Sequence, residues 1–227
     1  MSIVFTKVSA EPVETAIDAF EESERYYLAS LVEIISNRES SLAFAPVYRS
    51  LAHLYETQGR YRTANILRRE IIRIHEIEYG PLHPMVALDL CDLAISCRLS
   101  KETYLANQFY RRGIKLLFGC LNRLLKLQGK EPFPISEKLK NVLSLEDQHR
   151  TAFGSQAAFI RSGDADDCIL QLTTAIQLLI CNRDINTRLP YSSDVIEEIM
   201  SGVNRVTQLT KDLKEQSAFR YSERVPA

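Results

Sequence analysis

Tryptophan is absent from this 227-residue chain, methionine occurs three times, and glycine and proline eight times each. So few turn-forming residues argue against a many-stranded sandwich or barrel, which needs turn chemistry every few positions. They favour long helices joined by few loops. An excess of one charge is missing too: 28 Lys and Arg against 29 Asp and Glu leave a formal net charge of −1. That removes the general case for gripping a nucleic-acid backbone, which rewards a marked basic excess. No apolar run approaches the roughly 18 residues of a membrane span. Residues 1–10 lack the basic-then-apolar order of a secretory signal, so the expected location is the cytoplasm, without membrane contact.

Metal and catalytic signals are equally scarce. Cys91, Cys97, Cys120, Cys168 and Cys181 are odd in number and scattered through apolar helical patterns, as packed thiols of a reducing compartment are. They form no C-x-x-C pair, and His53, His75, His83 and His149 are just as dispersed, so neither a metal nor another cofactor is expected. A glycine-rich phosphate loop, a G-x-S-x-G elbow and an H-E-x-x-H motif are all lacking. Catalysis would have to bring Cys91 or Cys97 together with His53 or His83 across the helices, and the expectation is a non-enzyme.

What is present is helical periodicity almost throughout. Pro12 suits a first helical turn, and Val13, Ile17, Phe20, Tyr27, Leu28, Leu31, Ile34 and Ile35 follow at spacings that predict one helix to about Asn37. A second carries Phe44, Val47, Leu51, Leu54 and Tyr55 and ends at Gln58-Gly59. A third begins near Tyr61, carries Ala64, Leu67, Ile71, Ile74 and Ile77, and stops at Tyr79-Gly80-Pro81. The fourth follows His83-Pro84 and reaches about Leu99; Ser100 is placed to cap a fifth, which runs through Phe109, Ile114, Leu117 and Leu121. Gly129 to Pro134 is the clearest breaker and marks the main boundary. Beyond it, patterns over 136–161, 165–184 and 192–216 predict three more helices, with a frayed tail over 219–227.

A self-comparison adds a period. Shifted by about 42 residues, Leu51-Ala52 falls on Leu93-Ala94, Ala64 on Ala106, Asn65 on Asn107, Leu67 on Phe109 and Arg69 on Arg111. A small residue on each helix of an antiparallel pair lets the two approach closely, so each copy reads as one helical hairpin. The run from Leu51 through Tyr55, Gly59 and Tyr61 to Ala64, continued by Tyr79-Gly80-Pro81-Leu82-His83-Pro84-Met85-Val86-Ala87, resembles a tetratricopeptide repeat of the kinesin-light-chain type. In that family a leucine, a small residue, a tyrosine, a glycine, an aromatic and an alanine precede a Gly-Pro-x-His-Pro linker. The second copy departs from the pattern, with Ser96 for Leu54, Cys97 for Tyr55, Lys101 for Gly59 and Thr103 for Tyr61. It reads as a degenerate or terminal copy. The resemblance covers about 44–118.

The expected architecture is therefore all-α: an N-terminal helix over 1–41, two hairpins over 42–129, and a three-helix cap over 135–218. Two hairpins need such cover, since roughly three repeats are required for independent stability. The resemblance implies a concave groove lined by the first helix of each hairpin, with Arg49, His53, Glu56, Cys91, Ile95 and Arg98 facing a protein or peptide partner. The implied function is a non-catalytic interaction or scaffold module. The groove can equally be filled by the chain's own C-terminal helices. Pairing with a second copy is another way for a short array to hide a bare end. Lys and Asn are lacking at the positions where the family's carboxylate clamp holds a peptide terminus.

A second reading starts from charge distribution. Residues 61–130 carry 12 Lys or Arg against 6 Asp or Glu, whereas residues 1–60 carry 5 against 9. Arg68, Arg69, Arg73, Arg111, Arg112, Lys115, Arg123 and Lys126 belong to the second helices of the hairpins, which the resemblance places outward. Such a basic face would meet nucleic acid or an acidic partner, with steep salt dependence, or simply be solvated and paired with its acidic flanks.

Overall fold

The computed structural model describes residues 11–127, 129, 131, 132, 162–181 and 192–222. The helix expected over 136–161 lies outside them, as do residues 223–227. In chain order the elements are α1 (Glu11–Ser36), a 3-10 turn (Ser41–Ala43), α2 (Phe44–Thr57), α3 (Tyr61–Tyr79), α4 (Pro84–Leu99), α5 (Thr103–Leu127), α6 (Ser162–Cys181) and α7 (Ser193–Ser222). The described residues contain no strand, and the fold is all-α. Two expectations shift at their edges. Ser100 ends α4 rather than starting α5: its hydroxyl donates to the Cys97 carbonyl at 3.0 Å. At the other end, α7 continues through Ser222, into the stretch expected to fray.

Helices α2 and α3 pack as one hairpin, α4 and α5 as the next, and α3 also lies against α4. The 42-residue period is visible in the backbone of the two turns. The Arg60 amide donates to the Tyr55 carbonyl at 2.8 Å, and 42 positions later the Glu102 amide donates to the Cys97 carbonyl at 2.9 Å. The residue before each donor is left-handed, Gly59 with φ 73° and Lys101 with φ 64°. Such a 6→1 bond with a left-handed residue is how many helices end, because it satisfies carbonyls that the helix leaves open. Glycine adopts that conformation without strain; Lys101 does so against its Cβ. The alanine pairs behave as the period requires, with Ala52, Ala64, Ala94 and Ala106 all fully buried.

The hairpins differ in what surrounds them. Every residue of α4 from Pro84 to Cys97 is buried. The sequence dictates this, since apart from Asp89, Asp92 and Ser96 the residues from Pro84 to Cys97 are apolar around the whole circumference, and such a helix belongs in a core. Helix α5 covers one side, where Gly113 allows close approach to Ala87 and Cys91. At the equivalent position of the first hairpin stands Ile71. Helix α6 packs on α5, and α7 packs on both α4 and α6. Ile199, Val203 and Val206 of α7 are essentially inaccessible within the main core, together with Met85, Leu88 and Cys91. Gly202 sits so close to Leu88 that a Cβ there would lie 2.7 Å from its Cδ1. Fully burying a large aliphatic side chain stabilises by about 1.5–3 kcal/mol, so α7 is integral to the core.

Candidate functional site

The six residues expected to face a groove fall into three groups. Cys91 and Ile95 are core residues, 0% and 4% exposed, and the expectation that they meet a partner is corrected here. The reason is α7, which together with α6 shares their hydrophobic cluster. Arg98 is committed internally: its Nη1 donates to Asp166 of α6 at 2.7 Å and to the Tyr110 hydroxyl at 3.1 Å. Glu56 accepts two hydrogen bonds from Arg68, at 2.6 and 2.8 Å. Arg49 is half-buried and lies 3.6 Å from Asp89. His53 alone is exposed without such a tie.

Beneath this surface lies a charged network that periodicity did not reveal. Asp92 accepts from Arg205 Nε at 2.6 Å and faces Arg68 Nη1 at 3.5 Å. Asp89 accepts from His75 Nδ1 at 2.5 Å, with Arg49 and Arg205 each 3.6 Å from its other oxygen. Helices α2, α3, α4 and α7 thus meet on two carboxylates of the central helix. The signal was present, since two acidic residues at i and i+3 in an otherwise apolar buried helix must be paired. The partner they share, Arg205, is more than a hundred positions away in sequence and could not be identified from it. A related pairing recurs with the period: Glu56 with Arg68 in the first hairpin becomes Arg98 with Tyr110 in the second.

Burial and these partners set the titration behaviour. Burial would raise the Asp89 carboxyl, but the His75 hydrogen bond and the neighbouring arginines outweigh it and hold the group below the usual range. Burial wins at Asp166, whose carboxyl is raised in spite of Arg98. His83 is pushed down to about 4 by burial and then by His75. Its Nδ1 accepts the Met85 amide at 3.2 Å, and its ring stacks on Tyr79 with centroids 4.6 Å apart. It therefore caps the start of α4. Burial raises the Cys91 thiol, and Cys97 is pushed up to about 11 by burial and Glu102. Neither is an activated nucleophile, since reactive thiols have lowered values.

The basic stretch is divided between inside and outside, with Arg69, Arg73, Arg112, Arg123 and Lys126 exposed. Arg68 and Arg111 are 6% and 7% exposed, correcting their placement on an outward face. Arg73 pairs with Glu70, Arg112 with Glu76, and Arg123 donates to the Leu82 carbonyl. Between the two hairpin turns lies an open cleft of about 500 Å³ lined by Gly59, Arg60, Tyr61, Arg62, Thr63, Ser100 and Glu102. Among the described residues no group of three or more His, Cys, Asp or Glu is placed to hold a metal ion, and no helix is long and apolar enough to cross a membrane. No protein-family model matches the chain, and no curated protein sequence matches it.

Proposed function

We propose that this protein is a non-catalytic interaction or scaffold module, a short tetratricopeptide-like array whose groove binds a partner segment along α2. The observation that carries the reading is the seating of α7. That helix lies on α4 through Ile199, Gly202, Val203 and Val206, with Arg205 reaching the buried aspartates. Anchors at spacings of three and four against a complementary groove are the helix-in-groove mode of recognition. The equivalent face of α2 has the same period and the same turn geometry but no such occupant among the described residues, and His53 is exposed on it with Arg49 half-buried beside it. The resemblance to kinesin-light-chain-type repeats implies a protein or peptide there. The partner's site is thereby narrowed to His53 and Arg49, with Glu56, Cys91, Ile95 and Arg98 supporting the scaffold.

The basic-face alternative is weaker, because Arg68 and Arg111 are buried and Arg73 and Arg112 are paired with Glu70 and Glu76. A photo-crosslinking residue placed at His53 of the full chain, compared with one at Ile77 on α3, which is also exposed, tests the proposal. Discrete protein adducts from position 53 and none from 77 are expected. Equal labelling from both, or none from 53, would overturn it.

A further inference from the structure

Among the described residues, half of the large apolar side chains left outside lie on α3, α5 and the linker after α3, in the midst of the exposed cations. Ile66 and Ile77 of α3 are 67% and 64% exposed, Leu82 of the linker 58% and Tyr104 of α5 60%. Eleven residues make about three full turns, so Ile66 and Ile77 share one stripe, and the exposed Arg62, Arg69 and Arg73 fall along it. The outer stripe of α5 repeats that of α3 with the period, since positions 62 and 66 are exposed and so are 104 and 108. Side-chain contacts set the two helices side by side. Arg112 pairs with Glu76, and the Arg69 guanidinium lies 5.9 Å from the centre of the Phe109 ring. The Leu82 carbonyl accepts from Arg123 at 2.6 Å, which joins the linker to the far end of α5. Charge on this face is one-sided. Helix α5 carries five Lys or Arg and no Asp or Glu, and of the five only Arg111 is buried. On α3, Glu70 is matched by Arg73 and Glu76 by Arg112, so Arg62, Arg69, Arg123 and Lys126 make an excess of positive charge.

We propose that this face is a seat on an anionic lipid bilayer, where its Arg and Lys side chains meet headgroup phosphates and Ile66, Ile77, Leu82 and Tyr104 sink between the headgroups. Charge complementarity and placement together carry the assignment. Ile66 and Tyr104 lie near one end of the paired helices and Ile77 and Leu82 near the other, with Arg69, Arg73 and Arg112 between them. A protein interface gathers its apolar side chains at the centre inside a polar rim; here that order is reversed. A nucleic-acid backbone would take up the cations and leave the four apolar side chains without a role. A fluid anionic surface uses both, because apolar burial and attraction to the headgroups add in interfacial binding. Peripheral binding needs neither a spanning segment nor a secretory signal, the two features whose absence led to the expectation of no membrane contact. None of the residues involved belongs to α2, so the seat is independent of the proposed groove.

Co-sedimentation of the full chain with vesicles of phosphatidylcholine containing roughly one-third phosphatidylserine, compared with phosphatidylcholine alone, tests the seat. At about 0.1 M salt the anionic vesicles should retain the chain far better than the neutral ones, and at about 1 M, where the screening length falls to about 3 Å, most of it should be released. Arg62→Gln and Lys126→Gln should each weaken partitioning about fivefold, the roughly 1 kcal/mol that one cation contributes near such a surface. Ile66→Ser and Ile77→Ser should each weaken it roughly tenfold, whereas Val32→Ser, at a site 63% exposed on α1, should leave it unchanged. Every substitution replaces an exposed side chain, so the helical content should stay the same. No retention by anionic vesicles, equal retention by neutral ones, or retention indifferent to the Arg62, Ile66, Ile77 and Lys126 substitutions overturns the proposal. Tighter capture by a DNA duplex or by polyglutamate than by the vesicles also overturns it, and assigns the face to nucleic acid or to an acidic protein.

Discussion

The two hairpins share a backbone plan and differ in their fate. Both turn with the same hydrogen bonds 42 positions apart, and both bury an alanine on each helix. Yet α2 keeps an exposed face with His53 on it, whereas α4 is enclosed on all sides from Pro84 to Cys97. The period fixes where helices start, stop and touch; the neighbours fix which faces are available. A groove inferred from one hairpin therefore cannot be carried over to the other, and the C-terminal helices are what breaks the equivalence.

Substitutions can sharpen that contrast, and the largest effect is expected in the enclosed hairpin. Asp92→Ala leaves Arg205 without its 2.6 Å partner in the core and should cost about 3–5 kcal/mol in urea unfolding, the usual penalty for breaking a buried ion pair. Ile71 and Gly113 come next, because they occupy equivalent positions with opposite needs. Ile71→Ala opens a cavity in the first hairpin and should cost about 2–5 kcal/mol. Gly113→Ala overpacks the second, its Cβ falling 2.8 Å from Cys91 Sγ and 3.2 Å from the Ala87 carbonyl, and should cost about 1–3 kcal/mol. If Gly113→Ala were neutral, the closer approach of α4 and α5 would be refuted.

Smaller effects test the turns and the cap. Lys101→Gly gives the second turn the residue that the first already has, and should stabilise by about 0.5–1 kcal/mol. The proton linkage of His83 runs in one direction. Its value falls from 6.5 to about 4 on folding, so between those pH values the unfolded chain binds more protons and stability declines as the pH drops. His83→Asn keeps a capping side chain without the titration, and should flatten the melting temperature across that window. A slope unchanged by His83→Asn would assign the linkage elsewhere.

Much of the helical frame was legible in the sequence. The ends of α3 at Tyr61 and Tyr79 and the start of α4 after His83 follow directly from aromatic, glycine and proline placement. The candidate site was legible only in part. Arg68-Arg69 and Arg111-Arg112 were read as an outward basic face, although consecutive helical residues point about 100° apart and cannot all share one face. Arg68 and Arg111 turn inward. The tetratricopeptide resemblance places Cys91 and Ile95 in a groove, while the nearly all-apolar composition of α4 already implies enclosure. Arg205, which links α7 to Asp92, carries no local mark that would have paired it with a residue so distant in sequence.

The account rests on α4 being sealed beneath α7 while α2 keeps an open face, and hydrogen exchange of the intact chain reads that difference directly. Amides of residues 88–97 should exchange only through global unfolding, with protection equal to the full stability of the fold, and those of residues 48–57 should exchange faster through local opening. Equal protection in the two helices, or faster exchange in α4, would contradict the account.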